Sequence, residues 1–371
     1  MNKKLISLLL SAALAVSMLT VPAFAAEGGE ADAALDETNE VVVTLGDTVT
    51  ASTVEDTDKA AANKTAADKT ETADSAPAAS TEKKQITYVA LGDSIVAGVG
   101  LADVKYAKDS TTLYSVDMSP NFKGYSPDCY VGKVATMMGL DRDHAINLGL
   151  PALTAPDLAD MVRDGQMPKM NMESGCWYKY PEFQDYIRKA DVVSVQIGSN
   201  DAFVPCIVAL GNATNWKSEA LAASVLAGDL RASGSPAAAL IQGIKEMHLT
   251  RDERNATWNL LTSEMGKICD RIYPQTTAGL ISVVQEIRKL NPDCQILLMG
   301  YTDPVPFVPC WHNYFKKLNK FEKQLAETYD LTYVAIPKAK TDLDVHPPIS
   351  GHAYTAKKIV NSIELAEDSA Q

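Results

Sequence analysis

The chain has 371 residues, of which 46% are hydrophobic and 22% charged, with 21 glycines and 18 prolines. Those proportions exclude collagen-like, coiled-coil and wholly disordered chains, and the length allows a sizeable core. The formal net charge of -13 disfavours attraction to a polyanionic backbone, so nucleic acid is not an expected partner.

At the amino end, Lys3 and Lys4 precede an uncharged run from Leu5 to Leu19, followed by Pro22 and the small-x-small triplet Ala23, Phe24, Ala25. These are the three parts of a secretory signal over residues 1–25; cleavage is expected after Ala25, leaving a secreted protein. The apolar run is short of the roughly 20 residues that a spanning helix needs. From Ala26 to Lys84 the sequence turns to Ala, Thr, Asp, Glu, Ser and Lys and holds no aromatic residue. Such a segment cannot bury enough surface to offset its ordering entropy, so residues 26–84 are expected to form a disordered acidic linker. A tether associating the chain with the cell envelope and a plain solvating tail both fit that composition.

Residues 85–371 read as one domain with an alternating pattern. Apolar runs at Ile86 to Leu91, Ala145 to Leu148, Val192 to Ile197, Gln295 to Met299 and Leu331 to Ile336 predict five strands. Helical patterns fall between and after them, at Tyr130 to Met138, Asp157 to Val162, Leu280 to Leu290, Tyr314 to Thr328 and Ala353 to Leu365. Parallel neighbours need right-handed crossovers, so this alternation predicts a three-layer α/β/α domain around a parallel sheet. Residues 202–274 interrupt the rhythm as a helical insertion after strand three, readable as a lid or as helices padding the edge.

The chemistry begins after strand one, at Gly92, Asp93 and Ser94. A serine where a buried strand gives way to a helix faces free backbone N–H groups, which suits a nucleophile. A serine hydroxyl needs a base and oxyanion donors before it reacts. In a sheet of order 2-1-3-4-5, strands two and three flank strand one, which brings Ser94, Gly149 and Asn200 together as an expected oxyanion hole. The expected donors are the N–H groups of Ser94 and Gly149 and the side-chain amide of Asn200. The base is expected after the last strand, where His346 precedes Pro347 and Pro348 and so lies on a stiffened loop.

Together, Gly92-Asp93-Ser94, Gly149, Gly198-x-Asn200-Asp201 and His346-Pro347 resemble the four ordered motifs of the SGNH or GDSL-type serine hydrolases, lipases and esterases, over about Ile86 to Leu365. The resemblance implies a flavodoxin-like five-stranded sheet, ester hydrolysis through an acyl-serine intermediate, and neither cofactor nor metal. By the same resemblance Ser94 is the nucleophile and His346 the base. The family usually places its acid three residues before the histidine, and here that position is Leu343. Asp344 is the first choice for orienting the imidazole, with Asp342 and the Leu343 carbonyl as alternatives. A small-molecule, polysaccharide or lipid ester is the implied substrate. A catalytically silent module binding a surface glycan or lipid through the same cleft is the rival reading.

Six cysteines in an exported chain could form three bridges. The repeated tetrapeptides Phe203-Val204-Pro205-Cys206 and Phe307-Val308-Pro309-Cys310, after neighbouring strands, predict a Cys206 to Cys310 disulfide. Cys129 with Cys176 is a weaker candidate pair.

Overall fold

The computed structural model describes residues 85–371 except 102, 105–121, 219, 222–232, 305–308, 340–345 and 365–371. The expected signal and linker lie outside the described residues. Five strands form the sheet: β1 (Tyr88–Gly92), β2 (Ala145–Gly149), β3 (Val192–Gln196), β4 (Gln295–Met299) and β5 (Thr332–Val334). They pair in parallel in the order β2-β1-β3-β4-β5. Between and after them, among the described residues, run α1 (Ser94–Ala97), α2 (Tyr130–Met138), α3 (Ala155–Asp164), α4 (Phe183–Arg188), α5 (Ser199–Ala213), α6 (Pro236–Glu246), α7 (Arg251–Asn259), α8 (Met265–Leu290), α9 (Pro309–Tyr329) and α10 (Ile349–Val360).

Strand alternation sorts the core into two layers, because successive side chains leave opposite faces. Val89, Leu91, Ile146, Leu148, Val193, Val195, Ile296 and Leu298 pack on one face with α3, α4, α5, α8 and α9. Tyr88, Ala90, Ala145, Val192, Leu297, Met299 and Val334 face the other way, against α1, α2 and α10. Both faces are covered, which is why the central strands read as unbroken apolar runs.

Element ends depart from expectation for local reasons. β1 starts at Tyr88 rather than Ile86 because the Thr87 N–H donates to the Asp191 carboxylate at 2.7 Å instead of to a neighbouring strand. α8 begins at Met265, well before the expected Leu280, and carries Pro274 inside it. Its buried Met265, Cys269, Thr276, Leu280, Val283 and Ile287 follow helical spacing along one stripe, and that burial outweighs the lost proline N–H. A π turn, Leu260–Glu264, joins α8 to α7. At the other end of the expected insertion, α5 buries Ala202, Phe203, Val204, Cys206, Ile207 and Leu210. Much of residues 202–274 is therefore core.

The expected Cys206 to Cys310 disulfide is not formed: all six cysteines are free. Cys206 Sγ lies 4.0 Å from Cys269 Sγ, about twice a covalent S–S distance. Sequence offered no sign of this neighbour, because Cys269 lies in the expected insertion and not on the core helix that α8 turns out to be. The weaker pair is excluded by topology, since Cys129 packs on one face of the sheet and Cys176 on the other.

One charge stands out within this core. Glu322 of α9 is fully buried, and neither carboxylate oxygen has a hydrogen-bond partner among the described residues. Burial holds its carboxyl well above the ordinary range. A folded-state value above the unfolded one gives stability that is complete below about pH 4 and is lost as pH rises. Glu322→Met is therefore expected to raise Tm at pH 8, by roughly 2–4 °C per kcal/mol of relief, with the gain shrinking towards pH 4. Thermal melts across pH check this, and equal melting of the two proteins at pH 8 would contradict it.

Candidate active site

The site is built on the carboxyl ends of β1, β2, β3 and β4, which parallel pairing delivers to one edge. Register places Gly92 of β1 opposite Gly149 of β2 and Gln196 of β3. Gly92 turns with φ +155°, and a Cβ there would stand 2.1 Å from the Gln196 carbonyl oxygen. A glycine is required for the chain to leave the sheet so tightly. Asp93 then caps α1, its Oδ1 accepting the Ile95 N–H at 2.9 Å, and Ser94 is the first residue of that helix.

Across the cleft, His346 is 3% exposed and precedes Pro347 and Pro348, the latter capping α10. Its Nε2 lies 2.9 Å from Ser94 Oγ, although 252 positions separate them. That is a hydrogen-bond distance between a hydroxyl and an imidazole. Three of the other four histidines are engaged elsewhere: His352 Nδ1 accepts the Tyr130 N–H, while His144 and His312 contact Asp141 and Asp303. Asp342, Leu343 and Asp344 lie outside the described residues.

Asn200 is buried at the second position of α5, and its Nδ2 donates to the Leu153 carbonyl at 2.9 Å, leaving the second amide hydrogen for another acceptor. Gly149 is differently placed from expectation. Its N–H donates to Asn147 Oδ1 at 2.9 Å, while Asn147 Nδ2 donates to the Val96 carbonyl of α1 at 2.8 Å. A Cβ on Gly149 would stand 2.3 Å from the Ala97 nitrogen and 2.8 Å from Val96 atoms. Gly149 and Asn147 thus set the seat of α1 on β2.

Sequence reading missed Asn147 as a brace, although an asparagine two residues before a strand-end glycine is a readable signal. It also missed Ala152, which no signal marks. Ala152 is buried and holds φ 62°, a left-handed conformation uncommon for a residue with a Cβ. Its N–H has no acceptor among the described residues, and neither has that of Ser94. The loop around it is gripped from outside: Tyr178 OH donates to the Pro151 carbonyl at 2.8 Å. Trp177 is half exposed, and its Nε1 donates to the Met167 carbonyl.

Two buried carboxylates support the strand ends. Burial pushes Asp93 up to about 6, against the opposing hydrogen bonds of Ser199, Ile95 and Tyr301. Burial pushes Asp201 up to about 7, opposed by the Ala155 N–H and Thr276. Among the described residues no group of three or more His, Cys, Asp or Glu side chains is arranged to hold a metal ion.

The sequence profile of the GDSL-like lipase/acylhydrolase family matches residues 90–354. The chain belongs to that family. A search of curated proteins finds no significant match. Among solved structures, the chain is similar to phospholipase A1 from Streptomyces albidoflavus, at 15% identity and TM-score 0.43, over 75% of this chain and 100% of that one. The extracellular lipase of Streptomyces rimosus gives 14% and 0.42 over 75% and 100%. A carbohydrate acetylesterase from Sinorhizobium meliloti gives 14% and 0.39 over 74% and 97%. The family match spans every strand end described above, from the last part of β1 to α10.

In this member of the family, Gly149→Ala is expected to lower stability by about 1–3 kcal/mol, because its new methyl group meets backbone of α1. Urea or thermal melts check this; a variant as stable as wild type would show that β2 and α1 can part without cost.

Proposed function

We propose that the chain is a secreted serine esterase that hydrolyses carboxylic esters through an acyl-serine intermediate. The observation that carries this reading is the 2.9 Å approach of His346 Nε2 to Ser94 Oγ at the carboxyl edge of the sheet. In the first half-reaction Ser94 Oγ attacks the ester carbonyl carbon while its proton passes to His346 Nε2. The carbonyl oxygen becomes an oxyanion. Collapse of the tetrahedral intermediate breaks the bond to the alkoxy oxygen, which takes the proton from His346 and leaves as the alcohol. Water then repeats the sequence on the acyl-serine, releasing the carboxylic acid and returning the proton to Ser94.

The oxyanion needs uncharged donors already in place, each typically worth about 10²–10³ in turnover. The Ser94 N–H and the second Asn200 amide hydrogen are free for this. Gly149 was the expected third donor, but its N–H is engaged by Asn147. The unpaired N–H of Ala152, in the loop leaving β2, takes its place in this reading. A left-handed alanine costs strain, and such strain persists where the surroundings over-determine it. Asp344 is assigned to orient the imidazole and stabilise the imidazolium. Acetylated polysaccharide, short acyl esters and lysophospholipids all fall within the proposed substrate class, and the amino-terminal leader supports export.

The test is covalent labelling. A fluorophosphonate probe is expected to modify wild-type protein at Ser94 and to leave Ser94→Ala unlabelled, with ester turnover lost in parallel. No labelling of the wild type would overturn the esterase reading and favour the silent binding module. For the acid, Asp344→Asn is expected to cut kcat by about 10²–10⁴, and Asp342→Asn to leave it within a few-fold. Near wild-type rates in both would assign the role to the Leu343 carbonyl.

A further inference from the structure

Three consecutive residues at the start of α5 hold three different segments of the site. Ser199 Oγ donates to Asp93 Oδ2 at 2.6 Å, reaching the turn that carries Ser94. Asn200 Nδ2 donates to the Leu153 carbonyl at 2.9 Å. Asp201 Oδ2 accepts the Ala155 N–H at 2.9 Å, at the first residue of α3. The N-cap of this helix is Gly198, at φ 128°, which offers no side-chain cap bond, while its carbonyl accepts the Tyr314 hydroxyl at 2.7 Å. Asn200, itself held by Leu153, thus lies between two neighbours that are each tied to another segment of the site.

From this juxtaposition we infer that Ser199 is a positioning residue, fixing the Asn200 amide relative to Ser94 through Asp93. The inference rests on the esterase reading and adds to it the residue at the open position of the third motif block, Gly198-x-Asn200-Asp201. Ser199 and Asp93 are 4% and 0% exposed, so their bond is shielded from competing water. The other side-chain donor to Asp93, the Tyr301 hydroxyl, reaches the same Oδ2 at 3.4 Å, a much weaker contact. Deleting the Ser199 hydroxyl leaves Asp93 poorly satisfied on that side. The α1 cap and the α5 entry then lose their direct connection. Both elements carry proposed oxyanion donors, and these act on charge that develops in the transition state. Substrate affinity does not depend on that charge, so the loss falls on kcat.

The experiment compares wild type, Ser199→Ala and Ser199→Thr on a soluble p-nitrophenyl ester, with Ser94→Ala as background. For Ser199→Ala, kcat is expected to fall about 10–100-fold, the scale of a small misplacement of catalytic groups, with KM within about twofold. Ser199→Thr, which restores the hydroxyl, is expected to recover most of the loss. A kcat for Ser199→Ala within threefold of wild type would overturn the inference. So would a rise in KM that accounts for the loss, or a threonine variant no better than alanine. If melting shows that Ser199→Ala does not fold, Ser199→Cys, with a weaker donor of similar size, is judged by the same split. Wild-type protein without Ser94-dependent turnover would instead overturn the esterase reading, and this inference with it.

Discussion

Parallel pairing sends the carboxyl ends of all five strands to one edge, and the order β2-β1-β3 puts the end of β1 between two others. Everything at the site follows from that constraint. The residues after β1, β2 and β3 are compelled to share one volume, whatever their separation in the chain. Gly92 and Gly149 let backbones approach closely there, since a Cβ on either would meet the backbone of Gln196 or of α1. Asn147, Ser199 and Tyr301 then supply hydrogen bonds between the ends, so the edge is cross-braced rather than merely adjacent.

Buried carboxylates are part of this bracing. Asp93 and Asp201 each sit near a helix start, where backbone N–H groups are unsatisfied, and each accepts one of them. Their burial raises the cost of ionisation, and the hydrogen bonds return part of that cost. Glu322 differs, because no donor among the described residues reaches it. The same fold therefore holds two carboxylates that connect elements and one that connects nothing.

Much of this was legible in the sequence. The three central strands announced themselves as apolar runs that end in glycine or polar residues, and the order expected of a flavodoxin-like sheet is the order observed. Ser94 and His346 stood out because each lies at a strand end beside stiff or permissive backbone. Three things were not legible. The length of α8 depends on burial against α3 and α5, which no local pattern around Pro274 reveals. The partner of Cys206 depends on that same helix. The use of the Gly149 N–H depends on a side chain two residues earlier, and the conformation of Ala152 is imposed by the loop rather than by alanine. Each miss is a case where tertiary packing decided what local preference left open.

Pro347 and Pro348 follow His346 directly and lead into α10, which packs against α2, where His352 receives the Tyr130 N–H. During synthesis Ser94 emerges early and His346 near the end. A polypeptide that ends before His346 therefore carries the Ser94 hydroxyl without the imidazole that stands beside it in the fold.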